Sequence, residues 1–257
     1  MTHSVGMALL LSFLAGAATL IGAAVALVVK KEDFSFLAIG LGFSAGVMLY
    51  VGFMELLPQG TVMLSHQFSA GGRIWATVLF FAGACGAFLV DYLLPHHVEA
   101  KTWDKNARLE RTGVFTAVVL TLHNIPEGLT TFMATWQDFT LGLSVTVAVA
   151  IHNIPEGIAV ALPLYHATGN RKKAFLYSSL SGLTEPLGAL AGFWLMRRWL
   201  HQAAVGVLFA LVAGIMVYIA LDELLPTAHE YGDGHRVMWS VLVGMGVMAS
   251  SLLLFGN

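Results

Sequence analysis

The sequence predicts an all-α membrane protein of eight transmembrane helices in a 3+2+3 arrangement, with inverted repeats (spans 1–3 and 6–8) around a central helix pair. Three observations carry this reading. Of 257 residues, 57% are hydrophobic and 11% charged, where an average soluble domain carries about 25% charged residues. The apolar residues fall in long continuous runs, and mean hydropathy is +0.77. Segments of the first third recur in the last third. The composition excludes a disordered chain, a collagen, a disulfide scaffold and an ordinary soluble enzyme.

The runs cover roughly 5–29, 36–58, 73–94, 112–135, 139–164, 172–196, 202–226 and 237–255, enough at about 20 residues per crossing. In lipid only helices or closed barrels satisfy their own backbone, and continuous apolar runs mean helices. Residues 1–257 read as a single integral membrane domain. Residues 1–4 carry no Lys or Arg, while Lys30 and Lys31 follow the first run. That order points to an uncleaved first span with its N-terminus outside. With that orientation, the inner loops hold ten Lys and Arg: Lys30, Lys31, Lys101, Lys105, Arg108, Arg111, Arg171, Lys172, Lys173 and Arg236. The outer loops hold three, Arg73, Arg197 and Arg198. The positive-inside rule then places both termini on the periplasmic side of a cytoplasmic (inner) membrane. The longest loop, 95–111, is cytoplasmic and too short for a soluble domain.

The net charge of −2 creates no basic field for nucleic acid. The single cysteine, Cys85, excludes an internal disulfide, a thiolate cluster and a CxxC pair. It is expected to pack in its apolar run as a small hydrophobe.

Residues 45–58 read AGVMLYVGFMELLP and residues 213–226 read AGIMVYIALDELLP. They lie in spans 2 and 7, five spans apart, and so cross in opposite directions. A weaker match joins spans 1 and 6, SFLAGAATLIGA (12–23) against SSLSGLTEPLGA (178–189). Inverted repeats of this kind mark transporters, whose substrate site lies near midplane at the repeat interface. A second repeat, HNIPEG, stands at 123–128 and 152–157, on the adjacent antiparallel spans 4 and 5.

His123 and Glu127 are four residues apart and Asn124 and Glu127 three apart, so they share a helix side. His152, Asn153 and Glu156 repeat this geometry. His123 follows Thr112 by 11 residues, about 16 Å along a helix and near the middle of a ~30 Å core. Glu185 is central in the sixth span. While every Lys and Arg falls at a span end or between spans, three carboxylates thus sit near midplane. Each costs at least ~2.5 kcal/mol there as a charge, so they are protonated or they bind cations. The neighbouring imidazoles and amides favour cations of intermediate softness, and the lack of thiolate disfavours a strictly soft metal. Two His, two Asn and three Glu exceed the needs of one tetrahedral ion; two ions bridged by Glu127 and Glu156 would use them all. Pro126 and Pro155 free the carbonyls of Leu122 and Ile151 from their helical donors, and Gly128 and Gly157 permit close helix approach.

At these residues the chain resembles the ZIP family of divalent metal transporters. The likeness covers essentially the whole length. Its carriers are HNIPEG at 123–128, HNIPEGIAVALP at 152–163, SGLTEPLG at 181–188, AGVML at 45–49 and DELLP at 222–226. The resemblance implies the 3+2+3 inverted-repeat fold and a binuclear metal centre. One site would use His123, Glu127, His152, Glu156 and Met48. The other would use Asn124, Asn153 and Glu185, sharing Glu127 and Glu156. It also implies that His152 bears on selectivity, and that uptake runs toward the cytoplasm with the fourth and fifth spans in an elevator-like unit. Read by itself, Met48 in an apolar run is core filler. The His-rich cytoplasmic loop of many relatives is reduced here to His96, His97 and Glu99.

The expected cargo is Zn2+ first, with Fe2+, Mn2+, Co2+ and Cd2+ also suited to a mixed ligand set; no other cofactor is implied. At 100 mV, interior negative, a divalent ion gains about 4.6 kcal/mol on crossing inward. No ATP is needed and no P-loop is present. Metal must displace protons from its ligands, so transport should weaken in acid. Glu55, near the outer end of span 2, is the expected entrance ligand. Asp222 or Glu223, near the inner end of span 7, are the expected exit ligands, with His229, Glu230 and His235 nearby. An intramembrane metalloenzyme would want HExxH or a similar closed set, which is absent. A metal sensor would want an output domain, and a metal-selective channel is a further alternative. The small-residue faces at Gly83, Gly86 and Gly192 suit packing within one chain or between two copies in a homodimer.

Overall fold

The computed structural model describes residues 5–93, 105–196 and 202–255, and among these every regular element is a helix. Helix α1 is Val5–Val28; α2, Phe34–Val51, runs through a π turn at Gly52–Leu56 into α3, Leu57–Phe68; α4 is Gly71–Leu93. The middle of the chain forms α5, Lys105–Gln137, and α6, Phe139–Thr168. Then come α7, Arg171–Gly182, and α8, Thr184–Met196. Helix α9, Gln202–Ile219, runs through a second π turn, Ala220–Leu224, into α10, Leu225–Tyr231, and α11 is Gly234–Phe255.

Local chemistry sets the ends. Asp33, Asp138 and Asn170 accept from the backbone N–H three residues on, at 3.0, 2.9 and 3.0 Å, supplying donors' partners that a helix N-terminus lacks. Gly169, at φ 68°, closes α6 in the left-handed region open to glycine.

Six stretches are long and apolar enough to cross a membrane: Val5–Val28, Phe34–Phe68, Gly71–Leu93, Phe139–Thr168, Ala203–Tyr231 and Gly234–Leu254. Helix α5 is long enough, but its His, Asn, Glu and Thr residues lower its hydropathy. The sixth predicted stretch is broken at Leu183 into two short helices. The break precedes Pro186, which has no N–H for the carbonyl of Gly182. It sets Glu185 in the first turn of α8.

The second and seventh stretches run past their predicted ends, to Phe68 and Tyr231 rather than 58 and 226. A Leu-Leu-Pro reads as a stop because proline lacks a donor. Here the preceding turn widens instead: Leu57 N–H bonds to Gly52 O and Leu225 N–H to Ala220 O, five residues back. Pro58 and Pro226 then sit in the first turn of the next helix, where no donor is required.

The helices pack into two bodies. In one, α5 and α6 lie against each other, α1 against α6, α8 against α5, and α7 against α1 and α6. In the other, which we call the frame, α11 lies against α2, α9 against α4, α3 between α4 and α9, and α10 against α2. The bodies meet where α6 crosses α2 and α11, and where α5 meets α9 and the second π turn.

Glycine positions show why each body is tight and how the repeats relate. A Cβ on Gly22 would lie 2.0 Å from Ile154 O, and one on its repeat twin Gly188 would lie 2.0 Å from Ile125 O. In the frame, Gly46 meets Val241 O at 2.1 Å and its twin Gly214 meets Phe80 O at 1.9 Å. The same close approaches occur twice, α1 on α6 being matched by α8 on α5, and α2 on α11 by α9 on α4. Interhelical hydrogen bonds in membranes are worth about 0.6 kcal/mol on average, so it is these backbone approaches that set the helix spacing.

Gly83 and Gly192 pack within the chain, against Leu211 and Leu129, while Gly86 has open space beside it. Cys85 corrects an expectation: it is exposed on α4 rather than packed. That helix turns much of its apolar surface outward (Phe81, Phe88 and Leu89 are also exposed), as a lipid-facing helix does.

Candidate metal centre

The centre lies inside the first body. Helices α5 and α6 each turn one HNIPEG segment toward the other, and His123, Asn124, Glu127, His152, Asn153 and Glu156 are all buried. Glu127 Oε1 lies 2.9 Å from His123 Nε2 and 2.7 Å from His152 Nε2. Glu156 Oε1 lies 3.2 Å from His123 Nε2. One ligand atom from each of these four residues falls within 4.8 Å of all the others. Ligand atoms around one Zn2+, at about 2.0–2.2 Å from the ion in a tetrahedron, stand ~3.3–3.6 Å apart. The cluster is therefore of the right size to close on an ion with small side-chain adjustments.

Beside it stand Asn124, Asn153 and Glu185. The amides are anchored by their nitrogens: Asn124 donates to Ser181 O at 2.8 Å, and Asn153 donates to Ala15 O at 2.9 Å and to Glu185 Oε2 at 2.8 Å. Their oxygens are left facing inward. Asn124 Oδ1, Asn153 Oδ1, Glu127 Oε2, both Glu156 oxygens and Glu185 Oε1 are buried without a hydrogen-bond partner, as are the Nδ1 atoms of His123 and His152. Buried polar atoms are ordinarily paired. So many acceptors orphaned in one place fit a set of cation ligands.

The surrounding bonds obey the same two-fold relation. Ser12 Oγ donates to Gly128 O at 3.4 Å, and its twin Ser178 Oγ to Gly157 O at 3.0 Å. Ala15 and Ser181, which receive the two amides, are twins as well. The symmetry fails at one position: the twin of Glu185 is Thr19, buried with an unpartnered hydroxyl. One carboxylate rather than two therefore joins this side of the centre. Sequence reading passed over Thr19, Ser12 and Ser178, although alignment of 12–23 with 178–189 contains all three.

The remaining predicted residues belong to the frame. Met48 is fully buried in the apolar core, as is its repeat twin Met216. Glu55 and its twin Glu223 both lie in the π turns. Glu55 is half-buried, its Oε2 lacks a partner, and its carboxyl is within electrostatic reach of His152 and Glu127. Glu223 is buried and bound by Arg111 and Thr112, whereas Asp222 is exposed and accepts from Tyr218 Oη at 2.9 Å. Asp91 went unread in the sequence, and Arg111 counted there only as an inner-loop cation although it lies in α5, because neither belongs to a motif. His96, His97 and Glu99 lie outside the described residues.

A multi-pass helical membrane protein with a buried cluster of two His and two Glu that could hold a metal ion belongs, as a class, with metal-handling membrane proteins. The profile described as ZIP Zinc transporter matches residues 105–252. A zinc transporter ZupT of Chlorobium phaeovibrioides is 50% identical over 259 residues, covering 96% of this chain and 97% of the relative. Those of Nitratidesulfovibrio vulgaris and Clostridium perfringens are 48% and 45% identical, covering 95% and 98% of this chain and 95% and 97% of the relatives. The chain belongs to the ZIP zinc transporter family, a family of transporters and not of enzymes.

Proposed function

We propose that this protein carries Zn2+, with Fe2+, Mn2+, Co2+ and Cd2+ as further cargo, across the cytoplasmic membrane into the cell by alternating, elevator-like access. The observation that carries the reading is the distribution of the ligands. The seven His, Asn and Glu candidates of the centre, on α5, α6 and α8, ride on one packed body, while Met48, Glu55, Asp222 and Glu223 stand on the other. A body that holds the whole cation set can move against a frame without taking the set apart. Full burial of His123, Asn124 and Asn153 favours a carrier over an open water-filled channel. The names of the ZupT relatives support zinc as cargo. The positive-inside count supports an outward N-terminus, which puts Glu55 on the external side of the centre and Asp222 and Glu223 on the cytoplasmic side. Uptake of Zn2+ into interior-negative proteoliposomes tests the function directly. Folded, zinc-binding protein that moves no zinc would overturn it.

The ligand inventory supports two ions bridged by Glu127 and Glu156. Titration of purified protein should find two zinc ions per chain at saturation, and Glu185→Gln should lower this to one while leaving the His123–His152 side loaded. One ion per chain in the unaltered protein would refute the binuclear centre.

The position of Glu55 beside the centre supports an entrance role. Glu55→Ala should slow uptake when Zn2+ is limiting and leave the maximal rate near normal, a rise in apparent KM. Unchanged uptake at limiting Zn2+ would remove Glu55 from the path.

A further inference from the structure

At the end of the bundle opposite Glu55, one guanidinium fastens the two bodies together. Arg111, near the start of α5, donates through Nη1 to Glu223 Oε1 at 2.9 Å. Its Nη2 donates to the Asp91 carboxylate and reaches Asp91 O at 3.5 Å. Thr112 Oγ1 donates to Glu223 Oε2 at 2.9 Å. Both oxygens of the buried Glu223 are thus held by consecutive residues of α5, and Asp91 on α4 closes the clamp. Arg111 and Thr112 belong to the body that carries the metal ligands; Asp91 and Glu223 belong to the frame.

The repeat shows that this clamp is particular to one end. Glu223 is the twin of Glu55. The 29-residue offset between the two HNIPEG segments puts Thr140 where Arg111 stands and Leu141 where Thr112 stands. The glycine contacts Gly83 to Leu211 O and Gly244 to Phe43 O are twins in the same sense, and their offset puts Leu252 where Asp91 stands. At the twin positions near Glu55 there is therefore neither the guanidinium nor the second acid, and Glu55 Oε2 is buried without a partner. The scaffold is symmetric in backbone and unequal in charge.

We propose that Arg111 is a positioning residue: a latch that holds the ligand-bearing body against the frame in the arrangement seen here, and that must release Asp91 and Glu223 for the centre to open toward the Asp91–Glu223 end. The latch rests on the two-body carrier reading above. A part-buried ion pair suits it because separating the partners leaves Glu223 in an apolar setting unless water reaches it. The contact is therefore either made or fully opened, as a two-state element requires.

The test uses a cysteine pair that reports this arrangement without touching the clamp. Gly40 of α2 and Leu162 of α6 face each other across the two bodies, a Cβ on Gly40 lying 2.8 Å from Leu162 Cδ1. In a Cys85→Ser background, Gly40→Cys with Leu162→Cys is joined by a short bis-methanethiosulfonate linker in proteoliposomes, and the rate of joining and zinc uptake are both measured. Joining should stop uptake, and reduction should restore it. Arg111→Gln should slow joining by about fivefold or more, a common size for a conformational coupling. Arg111→Lys should retain most of the rate, and Thr112→Val should shift it in the same direction as Arg111→Gln by less. Adding Glu223→Gln to Arg111→Gln should cost nothing further. If the joined protein still transports, the two-body reading fails and the latch with it. If joining stops transport but Arg111→Gln and Thr112→Val join at the unaltered rate, the latch alone is overturned. Should Arg111→Gln not fold, the Arg111→Lys and Thr112→Val arms decide in the same way.

Discussion

Glu127→Gln should lower zinc uptake by on the order of 100-fold or more while leaving the protein folded. Loss of a group that only supports a metal ligand already costs about 10–100-fold in affinity or activity, and Glu127 is placed to be a ligand itself. Its Oε1 stands within 3 Å of both imidazoles, at 2.9 and 2.7 Å. Glutamine keeps the shape and one acceptor but brings an N–H2 group toward a cation, so the loss should appear in bound zinc as well as in flux. Purified protein assayed for zinc content and reconstituted uptake checks both. A control at Glu110, which is half-buried on α5 and paired with Lys173 at 2.5 Å, should transport normally as glutamine. Wild-type flux and zinc content in Glu127→Gln would take this residue out of the centre.

The second large effect is steric. In Gly128→Ala the new Cβ would fall 1.8 Å from the carbonyl oxygen of Glu185, a backbone atom that cannot swing aside. Helices α5 and α8 would have to part by roughly 1.5 Å to regain ordinary contact. Overpacking a tight interface costs about 1–3 kcal/mol. The functional cost should be larger than that figure suggests, because the residue pushed away is Glu185, a proposed ligand, and the neighbouring Glu127 moves with it. We expect a clear fall in thermal stability in detergent and loss of most uptake. Gly157→Ala, which meets Thr19 O at 2.3 Å, should destabilise in the same way from the other side of the pseudo-two-fold axis. Gly246→Ala, with nothing within 4 Å, should be neutral in both measurements. Equal behaviour of Gly128→Ala and Gly246→Ala would show that the close approach is not required.

The candidate cluster could be read early because helix periodicity converts spacing into direction. A His and a Glu four residues apart, repeated on two neighbouring antiparallel helices, leave few arrangements other than a shared centre. Midplane depth follows from counting residues into an apolar run, and the cost of charge in lipid explains why such residues need a cation or a proton. Other features were hidden for physical reasons. Leu-Leu-Pro looks like a helix end because proline lacks a donor; only the folded backbone reveals a π turn that absorbs the defect and carries Glu55 and Glu223 past it. The side on which Cys85 emerges depends on which face of α4 meets α9. Asp91, Arg111 and Glu223 come from three separate helices, and no local pattern links them.

From sequence alone follow the membrane-spanning nature of the chain, its duplicated halves and the chemistry of its buried polar residues. Composition, periodicity and spacing act locally along the chain, and these properties are local. Tertiary structure decided which helices share a body, that the seven His, Asn and Glu candidates all ride on one of them, and that Thr19 is buried with an unpartnered hydroxyl. It also decided that a guanidinium closes one end of the symmetric scaffold and not the other. Those are matters of how helix faces meet between segments from 20 to more than 100 residues apart, which backbone approach at glycine and charge pairing settle only once the chain has packed.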